Sequence, residues 1–592
     1  MRYLTALTSA RASLYCCGLM FALPFLQPYH RFPLTTFYNE WLAFTVGLLA
    51  ALLLLRRQSA GEAAIPAVAL APLGLIIVLV VQAALGRVPY PEQTLIATLY
   101  LLWASLLVML GRGLAQELEL TSVADTLAWF VLAGGMLNAL AGLVQHYEIS
   151  TPINFLVSRK GAGAVFGNLN QANHYAAHLA FALGSTVYLF ARRKLGGVTA
   201  GSCIALLLLM SAFTGSRSPW LYLATFTLLA VLTRQLRRDE QSRRLALLAV
   251  WLLLGFLLAH GVAQLIAPAE GLQVTSAQRL FQVASGIKPR IELWDTAWRM
   301  FLAAPILGAG WGQFSWHHFL SQASSLGTAD LGVFSHAHNL VFHLLAETGI
   351  VGAVVICGAG LFWLLDLRKV AVDASWWWLL SLLAVIGIHS MLEFPLWYAY
   401  FLGPAALLIG LGAQRLICVR FQGALRLALA SCLVAGSLHL VGVLAPYRDF
   451  ERLLFTPEAA AKAASNDRLL GPAIADVHRE PLLTPYAELA IAYSIPVSHE
   501  RLHEKVEFNA RAMRFAPGSV VVYRHALLLA LAGDRAAALR QLERAIEAYP
   551  AERHQVSAEL ESLARSHPAE FTPLLELAAA KSAELRARAA NR

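Results

Sequence analysis

The chain has 592 residues, 58% of them hydrophobic and 14% charged, with a mean hydropathy of +0.58. This is too apolar for a water-soluble protein of such length, so the chain reads as a polytopic membrane protein. The formal charge of +10 then calls for no nucleic-acid partner, because Lys and Arg collect in the cytoplasmic loops of membrane proteins. Cys16, Cys17, Cys203, Cys357, Cys418 and Cys432 lie in or beside apolar runs without ligand spacing. They read as small buried hydrophobes, which argues against a disulfide framework or a zinc site.

From the N-terminus, Arg2 and Arg11 precede an apolar stretch with no small-residue cleavage site, so the sequence predicts a retained first span. Runs long enough to span, about 20 residues each, fall near 12–27, 41–55, 65–86, 95–111, 123–145, 174–191, 197–214, 219–233, 245–265, 338–365, 376–392, 398–414 and 425–445. With the first residue inside, 18 Lys and Arg fall in inner segments and 5 in short outer loops, the asymmetry expected of cytoplasmic and external sides. The expected fold is all-α, with about 13 transmembrane helices over 1–445. A large outer connection spans 266–337, and a soluble helical domain at 446–592 lies on that same outer side.

Five stretches on the outer side carry chemistry. Gly167 to Tyr175 contains Asn168, Asn170, Gln171 and Asn173, amides able to bond a hydroxyl-rich ligand, although a helix-capping loop has the same composition. Gly215-Ser216-Arg217-Ser218-Pro219 places a guanidinium at a span start, where snorkelling to headgroups is the alternative to ligand binding. In 289–301, apolar residues 291, 294, 298 and 301 predict an amphipathic helix against the membrane face, opened by Arg290. A glycine-rich turn follows at 305–312, without the strand or the Lys-Ser/Thr of a nucleotide loop. Arg217 and Arg290 suit a diphosphate, because a permanently charged guanidinium fork matches phosphate oxygens.

The fourth stretch, Ser335 to Gly349, crowds His336, His338, Asn339, His343 and Glu347 into the start of an apolar run, where hydrocarbon penalises ionisable groups. His338 is the leading candidate for proton transfer, with Asn339 beside it to fix a carbonyl or an imidazole tautomer. The bland reading is three histidines at a helix entrance bonded to headgroups or water. The fifth stretch, 389–400, adds Glu393, Tyr398 and Tyr400, aromatics that are ordinary interface-belt residues more often than ligands.

Composition changes after 446: all fourteen tryptophans lie at or before Trp397, and the tail is rich in Ala, Arg and Glu. Val522, Ala526, Leu529, Ala538, Leu542, Ala545 and Pro550 fit the small and apolar positions of a helix-turn-helix repeat of about 34 residues. A weaker copy has Leu489, Ala512 and Pro517 in matching places. The tail resembles tetratricopeptide repeats, whose family role is protein binding, and the alternative is a generic Ala-rich helical hairpin.

Asn170-Gln171-Ala172-Asn173-His174, Ser216-Arg217-Ser218, Arg290-Ile291-Glu292-Leu293-Trp294, Gly308-Ala309-Gly310, His336-Ala337-His338-Asn339 and Glu393-Phe394-Pro395-Leu396-Trp397-Tyr398 together resemble the O-antigen ligase superfamily. Within it, the chain is most similar to the bacterial protein O-oligosaccharyltransferases that glycosylate pilins. The resemblance implies transfer of a glycan from undecaprenyl diphosphate to a hydroxyl of a periplasmic acceptor protein, at the inner membrane and without metal or other cofactor. It implies His338 as catalytic residue and Arg217, Arg290 and Gln171 as donor-binding, with Asn339 beside them and Tyr398 or Tyr400 as a further functional tyrosine. Ligation of polysaccharide to lipid A-core and O-antigen polymerisation share these motifs. A lipid-linked glycan transporter would instead carry broken helices and charges at the membrane midplane. A metal site built from His317, His318, His336, His338 and Asp330 lacks the helical i, i+4 spacing of a zincin.

Overall fold

The computed structural model describes residues 2–55, 63–160, 163–266, 284–321, 332–370, 372–419, 422–455 and 477–590. Of the described residues 79% are helical, which bears out the all-α membrane class. Among the described residues, nine helices are long and apolar enough to cross a membrane. The other four expected spans fall on helices of a different kind. Gly197–Phe213 and Ala399–Leu411 are apolar but short, at 17 and 13 residues. Ala172–Ala191 and Ser218–Leu236 are long but carry polar side chains. Those polar groups are tolerated because they face protein: His174, His178, Ser185 and Thr186 are all buried.

The chain divides into two compact units. The first comprises Met1–Leu75, Leu99–Gly286 and Val355–Gly442; the second comprises Ile76–Thr98, Ile287–Val354 and Val443–Arg592.

In the first unit the helices are α1 (Arg2–Met20), α2 (Leu23–Leu26), α3 (Phe37–Leu55), α4 (Leu70–Ala84, shared with the second unit), α5 (Pro91–Leu118, likewise shared), α6 (Leu120–His146), α7 (Ala172–Ala191), α8 (Gly197–Phe213), α9 (Ser218–Leu236) and α10 (Glu240–Ile266). Every residue of α7 from His174 to Leu189 is buried, which makes it the axis of this unit. Close approach comes from small residues, as where Gly135 of α6 meets Ala182, the usual packing of membrane helices. Trp378 and Trp377 are fully buried because their indole N–H groups have partners, Ser185 Oγ at 2.9 Å and the Phe226 carbonyl at 3.2 Å. A strand at Ala63–Pro66 pairs antiparallel with Leu416–Val419, the one departure from an all-helical pattern among the described residues.

The second unit holds α11 (Ala284–Ala303, from Ile287), α12 (Phe314–Ser321) and the first half of α13 (Leu340–Asp366). The first unit resumes with the rest of α13, α14 (Ala374–Leu392), α15 (Ala399–Leu411) and α16 (Gln422–Gly442). The second then closes with α17 (Leu444–Phe455), α18 (Thr484–Ser494), α19 (Leu502–Phe515), α20 (Ser519–Leu531), α21 (Arg535–Ala548), α22 (Arg553–Ser566) and α23 (Pro568–Ala590).

Two cores organise this second unit. In one, Phe319 of α12, flanked by Trp316 and Leu320, packs among Val521, Val522, Ala526, Ala538, Leu542 and Ala545 of the C-terminal helices. A polar contact adds to it: buried Glu488 accepts from the Tyr90 hydroxyl at 2.8 Å and from Arg511 at 2.7 Å, with His478 at 3.1 Å. In the other core, Leu293, Ala297 and Met300 of α11 meet Phe314, Ala337 and Ala346. The stripe expected to face the membrane behaves differently: Ile291 and Trp298 stay exposed together with Leu302, so α11 has two apolar faces, one inside and one outside.

Candidate active site

The amide-rich stretch of the first unit splits into distinct jobs. Asn168 is scaffold: it is buried, its amide donates to the Leu26 and Leu156 carbonyls, and its Oδ1 accepts from the Ser158 N–H. Gly167 has φ of +54°, and a Cβ there would lie 2.3 Å from Asn138 Oδ1, so only glycine lets the loop pass. Gln171 caps α7, its Oε1 accepting from the His174 N–H at 2.6 Å. Asn173 reaches out of the stretch and donates to Glu393 Oε1 at 2.8 Å.

That bond brings the first and fifth stretches together. His174 Nδ1 lies 3.0 Å from the Tyr400 hydroxyl, and its ring packs against Tyr398, with centroids 4.9 Å apart, and against His389 at 5.3 Å. The two tyrosines are thereby distinguished. Tyr400 is fully buried and engaged with His174, whereas Tyr398 is half-buried at the start of α15 and stacks on Phe394. Arg217 stands at the N-cap of α9 in the same unit. Its turn is tied by Ser216 N–H to Thr214 Oγ1 and by Ser218 N–H to Ser216 Oγ. Among the described residues its guanidinium has no ion-pair partner.

In the second unit the glycine-rich turn 305–312 is stitched into a break in α13. Gly349 has φ of +64° inside that helix, which frees backbone groups on both sides. The Ile350 N–H donates to the Pro305 carbonyl at 2.8 Å, while the N–H groups of Ala309 and Gly310 donate to the Ala346 and Glu347 carbonyls at 2.9 and 3.1 Å. A Cβ on Gly308 would fall 2.2 Å from the Glu347 backbone, so the close approach requires glycine. Gln82 seals the turn, donating to the Leu307 and Glu347 carbonyls and accepting from the Trp311 N–H.

His338 sits just before α13 with φ of +51°, a conformation that side chains other than glycine seldom adopt. Asn339 is the cap of α13: its Oδ1 accepts from the N–H groups of Val341 and Phe342 at 3.1 and 3.2 Å. Desolvation, then the neighbouring His343 and His338 rings, push the His336 imidazole well below the ordinary histidine range. Arg290 lies one turn before Trp294 on α11, and Trp294 stacks on Phe342 with centroids 5.6 Å apart. The structure therefore groups Gln171, Arg217 and Tyr398 in one unit and Arg290, His338 and Asn339 in the other.

Among the described residues, no group of three or more His, Cys, Asp or Glu is arranged to hold a metal ion. Asp330 lies outside those residues.

Of the two side chains that bind the turn to α13, the sequence places Glu347 in the ionisable stretch without giving it a role and does not single out Gln82. A carboxylate four residues after a histidine inside an apolar run is the signal that marks Glu347; Gln82 has no comparable local signal.

With nine helices long and apolar enough to cross a membrane among the described residues, the protein is a multi-pass membrane protein by class. The family described as O-antigen ligase matches residues 202–357, which include Arg217, Arg290, His338 and Asn339. A second family, described as virulence factor membrane-bound polymerase, C-terminal, matches 377–562. The general O-oligosaccharyltransferase of Acinetobacter baylyi is 26% identical over 419 residues, 69% of this chain and 70% of that protein. The ComP-specific O-oligosaccharyltransferase of the same organism is 23% identical over 340 residues, 57% of this chain and 59% of that protein. Over these residues the chain is similar to O-antigen ligases and to O-oligosaccharyltransferases, which makes it a glycosyltransferase-type enzyme.

Proposed function

We propose that the protein transfers a glycan en bloc from undecaprenyl diphosphate to Ser or Thr hydroxyls of a periplasmic protein such as a pilin. It does so at the inner membrane, with its site and its 446–592 domain on the periplasmic side. The observation that carries this reading is the similarity to two O-oligosaccharyltransferases, which extends beyond the membrane motifs to more than half of the chain. The 18-to-5 asymmetry of Lys and Arg supports the orientation.

In this reading Arg217 and Arg290 bind the diphosphate, which gains negative charge as the anomeric C–O bond breaks, and fixed cations stabilise that charge. Gln171, Asn339 and Tyr398 contribute polar contacts to the donor. The acceptor oxygen forms the new bond at the anomeric carbon, His338 takes its proton, and undecaprenyl diphosphate leaves with the bonding electrons. A single displacement of this kind inverts the anomeric centre. No metal takes part. The helical hairpins after 446, with their tetratricopeptide-like pattern, hold or orient the acceptor.

The test is reconstitution. Purified protein is mixed with an undecaprenyl-diphosphate-linked oligosaccharide and either a pilin or lipid A-core, with and without EDTA. Glycosylated pilin in both conditions is the expected product. Modification of lipid A-core alone overturns the acceptor assignment, and loss of transfer in EDTA overturns the metal-free mechanism.

A further inference from the structure

The carboxylate of Glu347 is 1% exposed and deep in the second unit, yet three hydrogen-bond donors converge on it. The Gly312 N–H reaches Oε2 at 2.8 Å, the Phe314 N–H reaches Oε1 at 2.9 Å, and His343 Nε2 lies 3.3 Å from Oε2. A buried carboxylate held in this way is a rigid anchor, because each of its donors would otherwise go unpaired in a low-dielectric interior. His343, one turn before Glu347 on α13, is 3% exposed and faces two ways. Its Nδ1 accepts from the Ala337 N–H at 3.3 Å, which leaves Nε2 as the protonated nitrogen that donates to Glu347. Its ring also stacks on His336, with centroids 4.9 Å apart and planes inclined by 24°. The two residues immediately before His338 are therefore both held by His343, and His343 is held by Glu347.

We infer that the His343–Glu347 pair is the positioning device of the His338 segment: it fixes the strained backbone at His338 by gripping residues 336 and 337, and takes no proton from substrate. The inference rests on the proposed role of His338. The left-handed backbone at His338 does not sustain itself, and such conformations persist only where surrounding contacts over-determine them. The grip on Ala337 and His336 supplies that constraint. The same carboxylate ties the start of α12 to α13, so one anchor sets both flanks of the segment.

The neutral imidazole acts here as an acceptor on one side and a donor on the other. A glutamine side chain offers the same pair, a carbonyl oxygen for the Ala337 N–H and an amide N–H for Glu347. Positioning thus predicts a specific rescue that proton transfer by His343 does not.

The test uses the full-length protein in nanodiscs, with an undecaprenyl-diphosphate-linked oligosaccharide and a serine-bearing acceptor protein. Two readouts are followed: kcat and donor KM, and the rate at which diethyl pyrocarbonate modifies the His338 ring, read by peptide mass spectrometry. His343→Ala and Glu347→Ala are expected to lower kcat about 100-fold, the scale of a misplacement near 1 Å, with donor KM nearly unchanged and faster modification of His338. His343→Gln is expected to restore both readouts most of the way to wild type. The inference is overturned if His343→Gln is as defective as His343→Ala, or if His343→Ala leaves both readouts at their wild-type values. Near-normal transfer by His338→Ala would remove the catalytic reading of that residue, while the modification rates would still decide whether His343 positions it.

Discussion

Gln171, Asn173 and Tyr398 stand at the ends of α7 and α15, helices whose rigidity comes from burial along their whole length. His338 stands on a short segment whose geometry depends on particular hydrogen bonds: three donors on Glu347, one on His343, and the stitching of 305–312 into the break at Gly349. Rigidity in the first unit is thus spread over many apolar contacts, with buried polar ties such as His174–Tyr400 among them. In the second it is concentrated in a few polar groups, each of which leaves partners unpaired when removed. The two units should therefore respond to mutation very unevenly.

The sharpest break in that comparison is expected at His338. His338→Ala, in protein that still inserts and accumulates, should lower transfer about 10²- to 10⁴-fold, the usual worth of general-base catalysis. Near-normal rates in the reconstituted assay would end its assignment.

Next come the two arginines, one in each unit. Arg217→Lys and Arg290→Lys keep a positive charge but lose the forked geometry, and each should slow transfer about 10²- to 10³-fold. A large loss for one and none for the other would assign the diphosphate to a single unit, and steady-state kinetics on the purified variants would show which.

The tyrosines test the first unit from within. Tyr400→Phe removes the hydroxyl that meets buried His174 and should cost about 1–3 kcal/mol of stability, measured by thermal unfolding in detergent. Tyr398→Phe should leave stability alone and raise donor KM. The reverse pattern would exchange their roles.

The smallest effect separates the units by pH. Burial pushes His318 and His525 of the second unit down to about 4. The folded state therefore holds both neutral, and the unfolded chain, with histidine near roughly 6.5, takes up protons first. Their contribution to stability is complete above about 6.5 and is lost as pH falls from there towards 4. Hydrogen exchange in α12 and α20 should accelerate over that window. A flat profile would show that neither ring is buried in solution.

Much of the fold was legible because apolar runs, glycines and prolines act locally. Spans, the helix start at Pro219 and the close approach of the 305–312 turn all follow from neighbours in sequence. The cap at Asn339 and the split roles within 167–175 were only half legible, since an amide that caps a helix and one that greets a ligand have the same composition. Least legible were long-range polar ties. Nothing near Gln82 indicates that its partners are Leu307 and Glu347, or that Tyr90 pairs with Glu488. The two-stranded pairing of 63–66 with 416–419 escaped for the same reason.

The second unit is drawn from three segments, Ile76–Thr98, Ile287–Val354 and Val443–Arg592, and α12 finds its apolar partners in the last of them. This order has a consequence for biosynthesis. The partners of Phe314 precede residue 355, but the Phe319 face of α12 lacks its packing surface until the C-terminal helices emerge. At about 5–20 residues per second, that interval is on the order of ten seconds or more. A ribosome-arrested chain ending near residue 440 should expose residues 314–321 to protease, and protection there would refute this order of events.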